Sequence, residues 1–261
     1  MRHLHLRVPL DTAVPAAQRS GSTVGAFCDT EAPFERNVLM TYVLRCVVFA
    51  AVYLSVARLT AGRWLWLGGL LYTLFFAGSM AAQFILLALR NPALLRERTA
   101  MAGNAKRWDR VLMPLTVVVL PLVALVVAGL DTRFGWTEPL PPIVQWIAAA
   151  FGIGAYSLTL ASMVSNPFFS SVVRIQIERG HQVHTRGPYA HVRHPGYVGM
   201  IGFFAAVPFL LGSWLSLVPI TAGVALHVLR TALEDRTLLA ELPGYRDYAA
   251  RVRYRLLPRI W

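Results

Sequence analysis

Residues 198–231, VGMIGFFAAVPFLLGSWLSLVPITAGVALHVLRT, are predominantly apolar. They are too many for one ordinary membrane crossing, which takes about 20 residues. Gly212 and Ser213 sit near the middle, with Pro208 and Pro219 on either side. Glycine frees the backbone, while proline fixes φ and removes a donor. The arrangement predicts a tight helical hairpin; a single long, kinked helix is the alternative. Ahead of it lie four more apolar runs of crossing length, residues 38–59, 65–89, 111–130 and 143–164. The fold expected is all-α: a polytopic integral membrane protein with about six transmembrane helices, a C-terminal helical hairpin and a cytoplasmic amphipathic tail. Short alternating strands of the kind that build membrane barrels do not recur. Helices are the remaining form that satisfies the backbone in lipid.

Composition agrees. The 261 residues are 56% hydrophobic and 15% charged, against about 25% charged in soluble domains. A net charge of +12 invites a nucleic-acid reading, but its distribution excludes one. With the N-terminus placed in the cytoplasm, the inward segments carry 21 Lys and Arg, and the opposite side only Arg58, Arg63 and Arg133. That is the positive-inside pattern, with both termini cytoplasmic and anionic lipid headgroups as the basic partner. Arg45, about two turns inside the first span, reads as a snorkelling residue. Residues 1–37 lack an apolar h-region, so no cleaved signal peptide is expected; rich in Pro, Ser and Thr, they read as a loosely ordered cytoplasmic arm. Cys28 and Cys46 make neither a staple nor a thiolate metal site. Lys106, the single lysine against 24 arginines, points to a GC-rich genome and a bacterial plasma membrane.

Polar residues with chemical potential gather on either side of the hairpin, in residues 174–197 and 230–259, and the hairpin brings the two together at the membrane–water boundary. In the first, Gly187-Pro188-Tyr189-Ala190-His191-Val192-Arg193-His194-Pro195-Gly196-Tyr197 reads as a shaped turn leading into a helix, with Tyr197 in its first turn. Arg193 and His194 would then lie near a helix N-terminus, where free N–H groups favour anions; contact with lipid phosphates is the plainer reading. In the second, Arg230 and Glu234 share a helix face. They are either a surface ion pair or, since a carboxylate near a membrane needs a partner, a site for a cationic ligand. Leu238, Leu239, Leu242, Tyr245, Tyr248 and Val252 form an irregular apolar stripe interrupted by Pro243-Gly244, expected to be interfacial. His181, His184, His191 and His194 suggest a metal, but no Cys or acidic ligand accompanies them and Pro188 and Pro195 break any shared helix, so none is assigned.

These motifs resemble the isoprenylcysteine carboxyl methyltransferase family of integral membrane enzymes. Its hallmark is Gly-x-Tyr, then Arg-His-Pro-x-Tyr, a helical hairpin and an acidic pair. Gly187–Tyr189, Arg193–Tyr197 and Glu234-Asp235 stand here in that order, and Gly244-Tyr245-Arg246-Asp247-Tyr248 through Tyr254-Arg255-Leu256-Leu257-Pro258 resembles the family ending. The likeness covers about residues 166–261; Asn91-Pro92, Arg96-Glu97-Arg98 and Lys106-Arg107-Trp108-Asp109 resemble a loop of bacterial members.

The resemblance implies S-adenosylmethionine as cofactor, with Arg193, His194 and Pro195 forming the turn that holds its polar groups. Tyr189 and Tyr197 would shape the pocket, and Glu234 would meet its ammonium or ribose. The usual pair is Glu-Glu, so the shorter Asp235 is the departure. The acceptor implied is lipophilic, reaching the site from the bilayer: an isoprenoid or lipid-like molecule, in one version a carboxylate oriented by Arg230 or Arg251. An amine or phenol would have to lose a proton, for which His184 or His191 is available. The expected organisation is an arm, 1–37, a four-helix scaffold, 38–164, and a cofactor-binding and catalytic region, 165–261. Two rivals stand beside this. Membrane sterol reductases, which use NADPH, carry a similar Arg-His-x-x-Tyr turn and tail; a non-catalytic membrane scaffold is the other.

Overall fold

The computed structural model describes residues 36–99 and 105–261. The arm expected over 1–37 and Cys28 lie outside the described residues, apart from Arg36 and Asn37, which open the first helix. Every regular element is helical: α1 (Arg36–Ala61), α2 (Leu67–Arg90), α3 (Pro92–Thr99), α4 (Asp109–Pro114), α5 (Leu120–Phe134), α6 (Pro142–Ser165), α7 (Pro195–Leu211), α8 (Leu217–Glu241) and α9 (Tyr245–Arg251). A π-helical turn, Leu115–Val119, joins α4 and α5 into one span. Among the described residues, five helices are long and apolar enough to cross a membrane, and α7 is a shorter apolar sixth.

The 198–231 stretch is a hairpin rather than one kinked helix. Gly212 ends α7 in the left-handed conformation, φ 74°, where an added Cβ would run into Gln145. The turn is fixed from a neighbouring loop: Leu140 N–H donates to Gly212 O, 3.4 Å. The Ser213 hydroxyl donates to Asp131 at 2.5 Å, and Asp131 also accepts from the Thr137 amide and hydroxyl at 2.8 and 2.7 Å. Along the hairpin, Phe204 faces His227 and Tyr197 faces Glu234, so the two helices run in matched register.

With 17 residues, α7 spans about 25 Å at 1.5 Å per residue, less than the ~30 Å hydrocarbon core. The deficit falls at its start. Gly196 lies beside Phe169 and Ser162, about one turn short of the end of α6, which draws the Arg193-His194-Pro195 turn inward. Close approach of α6 and α7 makes this possible. A Cβ on Gly199 would stand 2.6 Å from Ala155 O and 2.7 Å from Thr159 N, and one on Gly202 2.8 Å from Ala155 Cβ. Small residues are how membrane helices gain contact when lipid removes the hydrophobic drive. The aromatic core sits alongside: Phe75 stacks on Phe203 at 4.3 Å, and Tyr53, Tyr72 and Phe76 continue the cluster.

Pro114 lacks the N–H that an unbroken helix requires, and the third span widens into its π turn just beyond it. Nearby carbonyls are met by side chains: the Thr116 hydroxyl donates to Leu112 O, 2.8 Å, and the Tyr72 hydroxyl to Pro121 O, 3.0 Å. Such turns recur at functional sites, and this one lies beside the cavity described below.

Gly199→Ala should lower stability in detergent by about 1–3 kcal/mol, the usual effect of overpacking, because the added methyl meets backbone atoms that cannot rotate away. Gly154→Ala on the open side of the neighbouring helix α6, with nothing within 4 Å, should be neutral or stabilising. Thermal unfolding of the two variants checks the pair.

Candidate functional site

The site is organised by a carboxylate with no contact to water. Asp235 is 0% exposed and accepts from five donor atoms on four residues. Arg193 gives Nε at 2.8 Å and Nη2 at 3.0 Å. The Tyr245 hydroxyl is at 2.9 Å and Arg255 Nε at 2.7 Å. His194 Nε2 lies 3.1 Å away, and since a carboxylate only accepts, Nε2 carries the proton. These donors come from the turn before α7, from α9 and from the C-terminal tail. The tail also pairs by backbone: Arg193 N–H to Tyr254 O and His194 N–H to Arg255 O, both 2.9 Å. Arg193 Nη1 donates to the Val252 and Arg253 carbonyls. The guanidinium is thus occupied on every side that the turn and tail present.

Glu234, one residue earlier, is placed differently. It is half-buried, lines a cavity, and accepts from the Tyr197 hydroxyl at 2.7 Å. No cation pairs with it among the described residues. Arg230 does not form the expected pair with it along the helix. Its guanidinium turns instead to Asp109, Nε at 2.5 Å and Nη2 at 3.1 Å, and to Ser171 O at 2.8 Å. Asp109, itself fully buried, also accepts from the Val173 amide at 2.7 Å. Lys106, in the same loop, pairs with Glu241 at 2.7 Å. The 106–109 motif therefore ties the third span to α8 and to the 166–194 loop.

That loop roofs the cavity. Gln176, fully buried, donates to Phe168 O at 2.7 Å and accepts from Arg179 at 2.6 Å. The apolar stripe expected at the membrane interface packs beneath it: Leu242, Tyr245 and Tyr248 form a cluster with Ile175 and Val183. Tyr248 donates to Tyr189 O at 2.7 Å, fastening α9 to the Gly187–Ala190 turn. Burial pushes the phenols of Tyr189, Tyr245 and Tyr248 well up, with the Asp235 charge adding to the effect at Tyr245, so all three remain protonated donors.

The cavity holds about 540 Å³. Its polar end is lined by His184, Tyr189, Arg193, His194, Tyr197 and Glu234; its apolar end by Phe49, Tyr53, Phe76, Met200, Phe203 and Phe204. Phe168 and Phe169 line it too. Val118 of the π turn lines it and is 48% exposed.

Of the sequence candidates, Tyr189, Arg193, His194, Tyr197, Glu234, Arg230 and His184 line this cavity. Pro195 and Asp235 are buried behind it as its frame. Arg251 is exposed on α9 and does not line it. His184 meets Tyr189 edge-on at 5.3 Å, and burial lowers its pKa, partly opposed by a hydrogen bond with the Arg186 backbone. The four loop histidines do not converge, and among the described residues no three metal-ligating side chains do. Two residues escaped the sequence reading. Asp109 was seen only as part of a loop motif, although an acid at the edge of a span needs a cation. His227 sits mid-span within an apolar run; an ionisable residue in that position is itself a signal.

Residues 147–240 match the family model of the isoprenylcysteine carboxyl methyltransferase (ICMT) family. No curated protein sequence matches the chain. The matched segment begins in α6 and ends in α8, enclosing the roofing loop, the Arg-His-Pro turn, the hairpin and both acidic residues. Over those residues this membrane protein is similar to the isoprenylcysteine carboxyl methyltransferase family.

Proposed function

We infer that the protein transfers a methyl group from S-adenosylmethionine to a lipophilic acceptor at the cytoplasmic face of a bacterial plasma membrane. The observation that carries this is one cavity with two chemistries: an unpaired carboxylate at its polar end and an aromatic chamber at the other. S-adenosylmethionine is polar and cationic and would supply an electrophilic methyl carbon. The fit to its positive charge is Glu234, the acidic side chain that faces the cavity without a cation of its own. Tyr197 orients that carboxylate, and Tyr189 walls the same end. Arg193, His194 and Asp235 hold the frame in which those groups are set. Orientation and exclusion of water are the main demands of an in-line displacement, and alignment alone supplies roughly 7–11 kcal/mol.

The apolar end suits an alkyl or prenyl chain, and Val118 marks where such a chain would pass from lipid. Arg230, suggested for orienting an acceptor carboxylate, is committed to Asp109 and Ser171, and Arg251 lies off the cavity. Neither is retained as an orienting cation in this reading.

Calorimetry in detergent should find binding of S-adenosylmethionine or S-adenosylhomocysteine and none of NADPH; NADPH binding alone would replace this reading with the reductase one. Glu234→Gln should leave the fold intact and weaken donor binding by about 1.5–3 kcal/mol, the worth of a charge-assisted bond. Asp235→Asn should instead lower stability by about 3–5 kcal/mol, since it leaves buried cations uncompensated; equal unfolding temperatures for the two variants would contradict the division of roles. Acceptors with longer tails should bind more tightly by about 0.8 kcal/mol per buried CH₂, measured across a homologous series in nanodiscs. Turnover of short soluble acceptors with no gain from a tail would exclude access from the bilayer.

A further inference from the structure

His227 lies within α8, is 1% exposed and lines the cavity. Neither of its ring nitrogens has a hydrogen-bond partner. Aromatic rings hold it instead: Phe204 stacks on it at 5.2 Å and 23°, and Tyr197 meets it edge-on at 6.2 Å. Buried polar side-chain atoms are nearly always partnered, and a phenylalanine would satisfy this stacking with no unmatched nitrogen. His227, Arg230 and Glu234 follow one another at three- and four-residue steps on one face of α8. His227 is the member farthest from the polar end, where that face meets the aromatic chamber.

We propose that His227 binds the head group of a neutral, hydroxyl-bearing amphiphile, an alcohol or phenol on an apolar chain, and that this molecule is the acceptor. The inference rests on the methyltransferase reading above and narrows its substrate class. A neutral imidazole offers one N–H donor and one bare nitrogen, and a hydroxyl matches either. A carboxylate would seek an unpaired cation instead, but Arg230, one turn away, is neutralised by Asp109. With the hydroxyl at His227, the chain extends along Phe203, Phe204 and Phe76, and the oxygen lies on the apolar side of Glu234. The bare ring nitrogen accepts the hydroxyl hydrogen, which turns an oxygen lone pair away from the imidazole. In the transfer that oxygen would bond to the methyl carbon as the methyl–sulfur bond breaks; S-adenosylhomocysteine would leave, and the hydroxyl proton would pass to the ring nitrogen.

Three ligands of one carbon skeleton test this: farnesol, farnesoic acid and farnesene. Their binding to purified protein in nanodiscs is read by thermal stabilisation and by the ¹⁵N resonances of the His227 ring. Wild type should bind farnesol about five- to tenfold more tightly than farnesene, the worth of a hydrogen bond, and shift the His227 resonances. His227→Gln should keep much of that preference and His227→Phe should abolish it, while both retain S-adenosylhomocysteine binding. Equal binding of farnesol and farnesene by wild type, a preference for farnesoic acid, or unshifted resonances would overturn the proposal. The ring resonances are read on wild type and decide the matter even if the phenylalanine variant does not fold. Loss of S-adenosylhomocysteine binding by wild type would instead overturn the donor assignment, with the hydroxyl preference still read on its own.

Discussion

A carboxylate cannot be buried at the edge of a membrane unless donors surround it, and Asp235 shows what meeting that requirement imposes. Desolvating an ion is costly enough that its partners must be supplied in full. Here they come from Arg193, His194, Tyr245 and Arg255, which lie on three segments: the turn about forty residues before Asp235, α9 and the tail. The requirement therefore welds the turn before α7, the end of α8, α9 and the C-terminal tail into one unit. It also explains why Arg193 and His194 belong to the walls of the site: the guanidinium and the Nε2 of the imidazole are already engaged. The neighbouring Glu234 is left to face the cavity with only a tyrosine hydroxyl beside it. Two adjacent acidic residues thus have opposite environments because a helix points them in different directions.

The same logic recurs at Asp109. An Arg230–Glu234 pair would have joined two residues of one helix and tied no other element to it. The bidentate pair that forms instead is buried, joins two spans, and takes in a backbone amide and a carbonyl from the roofing loop. It fixes how far α8 stands from α4 and so sets the width of the cavity between them. Small residues on α6 and α7 act in the other direction, letting two helices close tightly. Close contact on one side and charged struts on the other leave a chamber whose polar end is framed by ions and whose far end is aromatic.

The short α7 gives this chamber its depth. Because the helix starts about one turn short of the end of α6, the Arg-His-Pro turn is drawn in beside the cavity. The π turn at Leu115–Val119 borders the same chamber, since its Val118 lines the cavity and is partly exposed.

The amino-acid sequence by itself determined the class of fold, because apolar length, paired prolines and the Gly212-Ser213 break are local properties that lipid enforces without reference to the rest of the chain. It also determined where the polar chemistry would gather: motifs on either side of a hairpin must come together when the hairpin closes. Which member of each motif faces the cavity was settled by tertiary contacts. The division between Glu234 and Asp235, the capture of Arg230 by Asp109, the exclusion of Arg251 and the exposure of His227 to the cavity all depend on helix rotation and on how separate elements pack. The apolar stripe around Tyr245 shows the same limit. Its pattern is that of a helix for the membrane surface, yet a loop of the same protein covers it, since periodicity records that a face is apolar and not what buries it.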